Sequence, residues 1–320
     1  MSLGRLRIRA HGVLAIAGLA LMLAVMGYPA TSRAAGTCDR SCLEGMVNRY
    51  LKALVAHDPS KAPLAANVKY TENGQRLAPG KGLWATASAD ATYRLYAADT
   101  RDEQVGFLGV MKEDGKPIFI ALRLTVEKGK ISEIETVVAR NNERLFHPGG
   151  LIRPKPIFLK TLKPSERSSR SEMIRIANSY FRGLDEENSG KNVPFADKCQ
   201  RIENGVTTAN SADPKATAMR KMGCKAQFDT GFSVIVTDVR DRRFPVVDEE
   251  RGLVLSFVFF DHAGRITHAT LKDGTPMTIS APYNHPFTWE IAELFKIENG
   301  KIRQIEAVLV ASPYRMKSGW

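Results

Sequence analysis

The chain has 320 residues, room for about two ordinary domains. With 43% hydrophobic and 25% charged residues it is globular in composition, which excludes a disordered or low-complexity protein. The formal charge of +12 is spread along the chain, without basic runs interleaved with aromatics, so nucleic acid is not an expected partner.

The first stretch reads as a secretory signal peptide. Arg5, Arg7 and Arg9 precede an apolar run from Val13 to Met26, followed by small residues around Ser32 and Ala34, with cleavage expected after Ala34. That run, about fourteen residues, falls short of the roughly 20 that span a bilayer, so no stable membrane span is expected once residues 1–34 are removed. Their removal takes away four arginines and no acid, lowering the formal charge to +8. The expected location is periplasmic or secreted. In such a compartment the four cysteines, Cys38, Cys42, Cys199 and Cys224, are expected to form disulfides, most simply within the local pairs 38/42 and 199/224. No histidine lies close in sequence to either pair, which argues against zinc.

Ser41 and Glu44 form a capping box, and Leu43, Met46, Val47, Tyr50, Leu51, Leu54 and Val55 then fall on one face of a helix. Pro63–Ala66 reads as a short second helical piece. Strands begin at Val68, with Asn73-Gly74 as a turn, and Gly80 and Gly82 imply a loop before Leu83-Trp84. Further strands are predicted over 92–97 and 104–113, then a hairpin with arms 117–126 and 130–139. Residues 141–170, holding four prolines, Gly149-Gly150 and a Ser-rich end, read as an interdomain linker. A second helix, with Met173, Ile176, Ala177, Tyr180, Phe181 and Leu184 on one face, restarts the pattern.

The restart is a duplication. Twelve positions from Glu127 and from Glu298 agree at seven with an offset of 171, whereas Tyr50/Tyr180 and Glu72-Asn-Gly/Glu203-Asn-Gly are offset by 130 and 131. The second copy has therefore gained about forty residues, expected within 206–230 and 261–290, and long insertions are commonly functional loops. The expected organisation is α+β: a first domain over 36–140, the linker over 141–170 and a second domain with insertions over 171–320.

These elements, with Gly-Lys-Ile-x-x-Ile-Glu at 129–135 and 300–306, resemble the nuclear transport factor 2-like superfamily, its SnoaL-like branch in particular. Within that branch the chain is similar to exported tandem proteins with a Cys-Asp-Arg-x-Cys-Leu-Glu start and a Pro-Tyr-x-Met-x-Ser-Gly-Trp end, here Cys38–Glu44 and Pro313–Trp320. The resemblance implies two cones, each a curved antiparallel sheet wrapped on helices, with a pocket at the open end and no bound cofactor. It also implies either lyase, isomerase or dehydratase chemistry, or ligand binding and protein assembly without catalysis.

Acid–base chemistry in such a pocket requires a base and a donor aimed at a developing oxyanion. In the second copy the candidates are His285 or Glu203 as base and Arg201 or Asn204 as donor. Tyr283, Phe287, Trp289, Asp229 and Glu293 are candidate ligand contacts for a small apolar or aromatic molecule. In the first copy the corresponding set is Tyr70, Glu72, Asn73, Asp90 and Tyr93. Each Glu-Asn-Gly also reads as an ordinary turn. Glu135 and Glu306 are expected at an exposed or interface position, beside a bulge implied by the isoleucine spacing. His262 and His268 are expected to face solvent; with Asp261 they form the one conceivable metal set. The two copies are expected to pack as an intramolecular pseudo-dimer, or the chain to form a homo-oligomer.

Overall fold

The computed structural model describes residues 38–320, so the expected signal peptide lies outside the described residues. In the first copy, helix α1 (Arg40–Val55) precedes strands β1 (Leu64–Glu72) and β2 (Gln75–Leu77), the short helix α2 (Leu83–Thr86), and β3 (Ala87–Asp99), β4 (Gln104–Glu113), β5 (Lys116–Glu127) and β6 (Lys130–Ala139). A connecting segment carries the short helix α3 (Pro156–Leu159). In the second copy α4 (Arg170–Asp185) leads into β7 (Phe195–Glu203) and β8 (Val206–Ala209). Two short helices follow, α5 (Ala218–Lys221) and α6 (Cys224–Asp229), then β9 (Asp238–Asp248) and β10 (Leu253–His262). A ribbon of β11 (His268–Thr270) and β12 (Pro276–Thr278) comes before the closing hairpin of β13 (Phe287–Glu298) and β14 (Lys301–Ser312).

The two six-stranded sheets have the same mixed topology, β2-β1-β6-β5-β4-β3 and β8-β7-β14-β13-β10-β9, with β1 parallel to β6 and β7 parallel to β14. Each copy is thus an α+β unit, a six-stranded sheet packed on an N-terminal helix, and the sheet is mixed where an antiparallel one was expected. The expected bulges are present as register shifts at Thr125/Val126 and Lys296/Ile297.

Two local expectations need correction. The cap of α1 is Asp39, whose carboxylate accepts from Cys42 N at 2.8 Å, two residues earlier than the Ser41 box. Pro63–Ala66 is not helical: Leu64 opens β1 opposite Ile131, and this pairing between segments far apart in sequence overrides local propensity. Both disulfides are present, Cys38–Cys42 and Cys199–Cys224.

The central strands read as nearly continuous apolar runs because both faces are buried. On β5, Ile118, Ile120, Leu122 and Leu124 pack with Leu43, Val47, Tyr50 and Leu54 of α1, while Phe119 and Ala121 point the other way. On β13, Ile291 and Phe295 join the core under α4, and Ala292 and Leu294 join Phe119 and Ala121. The outer faces of the two sheets therefore make a third core, and the copies form an intramolecular pseudo-dimer.

Its rim shows two-fold reciprocity. Arg40, at the start of α1, crosses to Asp248 at 2.8 Å, and Arg170, 130 residues later at the start of α4, crosses to Asp99 at 2.7 Å. Asp99 accepts from Val247 N at 2.9 Å, and Asp248 accepts from Ala98 N at 3.1 Å. Both aspartates are buried, and each is matched by a guanidinium and a backbone donor, which such burial requires.

The segment 141–170 is no loose spacer. Leu151, Phe158 and Leu162 are buried, and Leu162 N donates to Glu250 O at 2.9 Å. Residues beyond Ser312 return to the first copy, where Trp320 Nε1 donates to Thr71 Oγ1 at 2.8 Å and Lys69 and Arg123 lie over its ring.

Candidate functional site

The two cones differ inside. In the first, α2 turns Trp84 into the interior, where it is fully buried edge-on to Tyr50 at 5.2 Å. Tyr70 donates to Glu72 at 2.9 Å beside them, and Glu72 also accepts from Leu83 N at 2.7 Å and from Arg140 at 3.1 Å.

In the second copy α6 likewise sets Phe228, fully buried, against Tyr180 at 5.0 Å, but space remains beside this pair. The added residues, 210–237 between β8 and β9 and 263–286 between β10 and β13, stand around the open end and line a half-open cavity of about 410 Å3. Tyr180 and Leu184 of α4 lie at its base. The first insertion supplies Gln227, Phe232, Ile235 and Val236, the second Met277, Ile279 and Tyr283, and the connecting segment Arg144 and Leu145. The Cys199–Cys224 disulfide ties α6 to β7, and so fixes Gln227, three residues further on, over the sheet.

One polar group in the cavity wall centres on Arg201 of β7. Its Nε donates to Thr208 Oγ1 at 3.0 Å, Nη1 to Tyr180 Oη at 3.1 Å and Nη2 to Gln227 Oε1 at 2.5 Å, with Glu203 Oε1 at 3.5 Å from Nε. Burial works against its charge, but Tyr180, Glu203 and Glu293 outweigh that and raise its pKa further. Glu293 of β13, buried behind Tyr180, is pushed up to about 8 by burial and by Glu203, against the opposing pull of Arg201. It is thus largely protonated at neutral pH, and a proton-holding carboxyl sits beside a fixed guanidinium.

The other polar group is His262, the last residue of β10. It is fully buried, and Nδ1 lies 3.1 Å from Phe260 O, so the proton sits on Nδ1 and Nε2 is left as an acceptor without a protein partner. Burial lowers its pKa to about 4, opposed by Phe260 O and Asp261, so the ring is neutral at physiological pH. Phe287 stacks on it at 4.4 Å, and Trp289 stands edge-on at 4.9 Å.

Among the sequence candidates, Arg201, Glu203, Tyr283 and Trp289 line the cavity, Phe287 backs His262, and Glu293 backs Tyr180. Others lie elsewhere. His285 is exposed on the outside of its loop and is not part of the cavity wall. Asn204 sits at φ +43° and ties itself to Leu309, donating to its carbonyl at 2.8 Å and accepting from its N–H at 3.1 Å, so its amide is committed to the neighbouring strand and is not part of the cavity wall. Asn73 makes the same tie to Val138. Asp229 binds Ser189, Gly190 N and Lys225 outside the cavity. Asp90 is an exposed partner of Arg94, and Tyr93 donates to Glu306 at 2.8 Å across the two copies.

His262 was expected in solvent beside a two-residue turn at Ala263-Gly264. The connection is the whole of 263–286, so His262 ends a buried strand instead, opposite Phe287. Its neighbour Asp261 pairs with Arg240 at 2.9 Å while His268 is exposed, and among the described residues no group of His, Cys, Asp and Glu could hold a metal. The signal available in the sequence was the run from Leu253 to Phe260, apolar but for Ser256, leading directly into it. Gln227 carried no such signal.

Fold and cavity together define a tandem α+β protein with a half-open cavity in its second copy. The chain belongs to the family described as Domain of unknown function (DUF8021), which matches residues 37–138 and 166–309. The comparison with curated proteins finds no match. Among solved structures, similarity is found to a protein of unknown function with a cystatin-like fold from Methylobium petroleophilum PM1, at 14% identity and TM-score 0.29, covering 34% of this chain and 83% of that one. NTF2-like proteins of unknown function from Cytophaga hutchinsonii ATCC 33406 and Burkholderia xenovorans LB400 are similar at 14% and 13% identity, with TM-scores of 0.25 and 0.26. They cover 30% and 32% of this chain and 88% and 85% of their own. Among the described residues no helix is long and apolar enough to cross a membrane.

Proposed function

We propose that this is an exported protein whose second copy binds a small, mostly apolar or aromatic molecule and acts on it by proton transfer, as an isomerase, lyase or dehydratase would. The observation that carries the reading is a cavity of about 410 Å3 whose mainly apolar wall includes a buried neutral imidazole with an unpartnered Nε2 and a separate buried guanidinium. That size suits a small organic ligand. A neutral imidazole can take a proton and a fixed guanidinium can stabilise the developing charge. His262 is the base in this reading and Arg201 the electrostatic partner. Export is supported by the two disulfides and by the N-terminal pattern.

The test is thermal unfolding of the wild type and of Val236→Trp, which adds bulk to the cavity lining, against a panel of small aromatic and alicyclic compounds. A true ligand at a hundredfold its Kd stabilises by about 2.7 kcal/mol, and the substitution should remove that shift. A panel with no stabilising compound, or one that acts equally on the filled variant, would overturn the reading.

A further inference from the structure

The cavity's charges and its unpaired atom constrain what it takes, and this inference rests on the binding reading above. Three arginines line it, Arg144, Arg201 and Arg220, against the single carboxylate of Glu203. Arg201 has Glu203 at 3.5 Å. The other two have no acidic partner among the described residues: Arg144 donates to Ala281 O at 3.0 Å and lies over the Tyr283 ring at 4.7 Å, and Arg220 donates to Thr207 O at 2.8 Å. Arg201 is buried, Arg220 half-buried and Arg144 exposed, so the excess of guanidinium draws an anion inward and holds it most strongly where screening is weakest, toward Arg201 and Arg220. The guanidinium fork matches a carboxylate.

The imidazole requires the opposite kind of group. With Nδ1–H committed to Phe260 O, the buried Nε2 only accepts, and leaving it unmatched is unfavourable. A ligand that meets it must donate, through O–H or N–H, next to the stacked ring of Phe287 and the edge of Trp289.

We infer that the ligand is a small aromatic or apolar carboxylate with a hydroxyl or N–H group at a second position, its carboxylate held by the arginines and its donor by His262 Nε2. Two groups at separate points fix orientation as well as affinity, which an apolar cavity alone would not do.

Calorimetric titration of the full chain with three probe families tests this: 4-hydroxybenzoate, 4-hydroxyphenylacetate and 4-hydroxycinnamate, each with its methyl ester and its analogue lacking the ring hydroxyl. In at least one family the hydroxy acid should bind tenfold or more tightly than its ester and fivefold or more tightly than the deoxy acid. His262→Phe keeps a stacked ring without Nε2 and should abolish the hydroxyl preference but retain the preference for acid over ester. Arg220→Gln, which orphans no acid, should do the reverse. Esters that bind as well as acids, or preferences that survive these substitutions, would overturn the inference while leaving the binding reading intact. If no probe binds and neutral compounds still stabilise the protein, the inference alone fails; if neither class binds, both fail.

Discussion

The two copies share a topology and differ in how they treat buried space and buried charge. The first fills its cone with Trp84 and Tyr50 and compensates its carboxylates: Glu72 has Tyr70, Leu83 N and Arg140, and Glu135 has Arg123 at 2.9 Å and Arg243. The second packs Phe228 on Tyr180 but keeps a half-open cavity beside them, and carries Glu290, Glu293 and Glu306, all raised in pKa chiefly by burial. At 171 residues earlier, the counterparts of Glu290 and Glu293 are Phe119 and Leu122. On the function proposed above, one copy has the character of a scaffold and the other that of a site, which natural proteins commonly make at some expense of stability.

The sharpest way to break this contrast is to empty the first cone. Trp84→Ala should destabilise the protein by about 3–5 kcal/mol, as large-to-small changes in packed cores do, measured by urea unfolding, and indole should restore part of the loss. A cost under about 1 kcal/mol would mean that the first cone is not a packed plug.

The second prediction concerns pH. Glu293 and Glu290 titrate near 8 and Glu306 near 7 in the folded protein, against an ordinary 4.5. A raised carboxyl pKa means that the folded state holds protons the unfolded chain has released. Their contribution is therefore intact below about pH 4.5 and is lost as pH rises toward 7–8. Glu293→Gln should flatten that decline and stabilise the protein at pH 8 by on the order of 2 kcal/mol. His262, lowered to about 4, acts at the other end, since its contribution is present above about 6.5 and lost as pH falls through 4. Equal slopes for wild type and Glu293→Gln between pH 5 and 8 would contradict the assignment.

The smallest effect separates scaffold from site within one motif. Asn73→Ala and Asn204→Ala each remove two ties to a neighbouring strand from a residue at positive φ. Each should cost about 1–3 kcal/mol, more at the fully buried Asn204. Ligand affinity should stay unchanged in both; a loss on Asn204→Ala would return that residue to the binding site.

Much of the architecture was legible because its determinants are local. The helical face from Leu43 to Val55, the Asn73-Gly74 turn and the repeated Gly-Lys-Ile hairpin depend on periodicity and turn chemistry. The duplication also located the insertions and singled out Arg201 and Glu203 where the first copy has Tyr70 and Glu72. What failed depended on distant partners: Leu64 became a strand through Ile131, His285 was carried outward by its loop, and His262 was buried by a connection that began like a tight turn. The electrostatic setting of Glu293 was beyond periodicity too, because Tyr180, Arg201 and Glu203 meet it only in three dimensions.

The reciprocal rim contacts have one more consequence. In a dimer of identical chains every change at an interface is made twice, and a harmful one cannot be offset on the other side. Here the equivalent of Glu306 is Glu135, yet the first meets the hydroxyl of Tyr93 and the second the guanidinium of Arg243. Covalent linkage keeps the halves at a local concentration on the order of millimolar, so dilution does not separate them. Each half of the joint can then drift alone, and one lobe can specialise without its sibling having to follow.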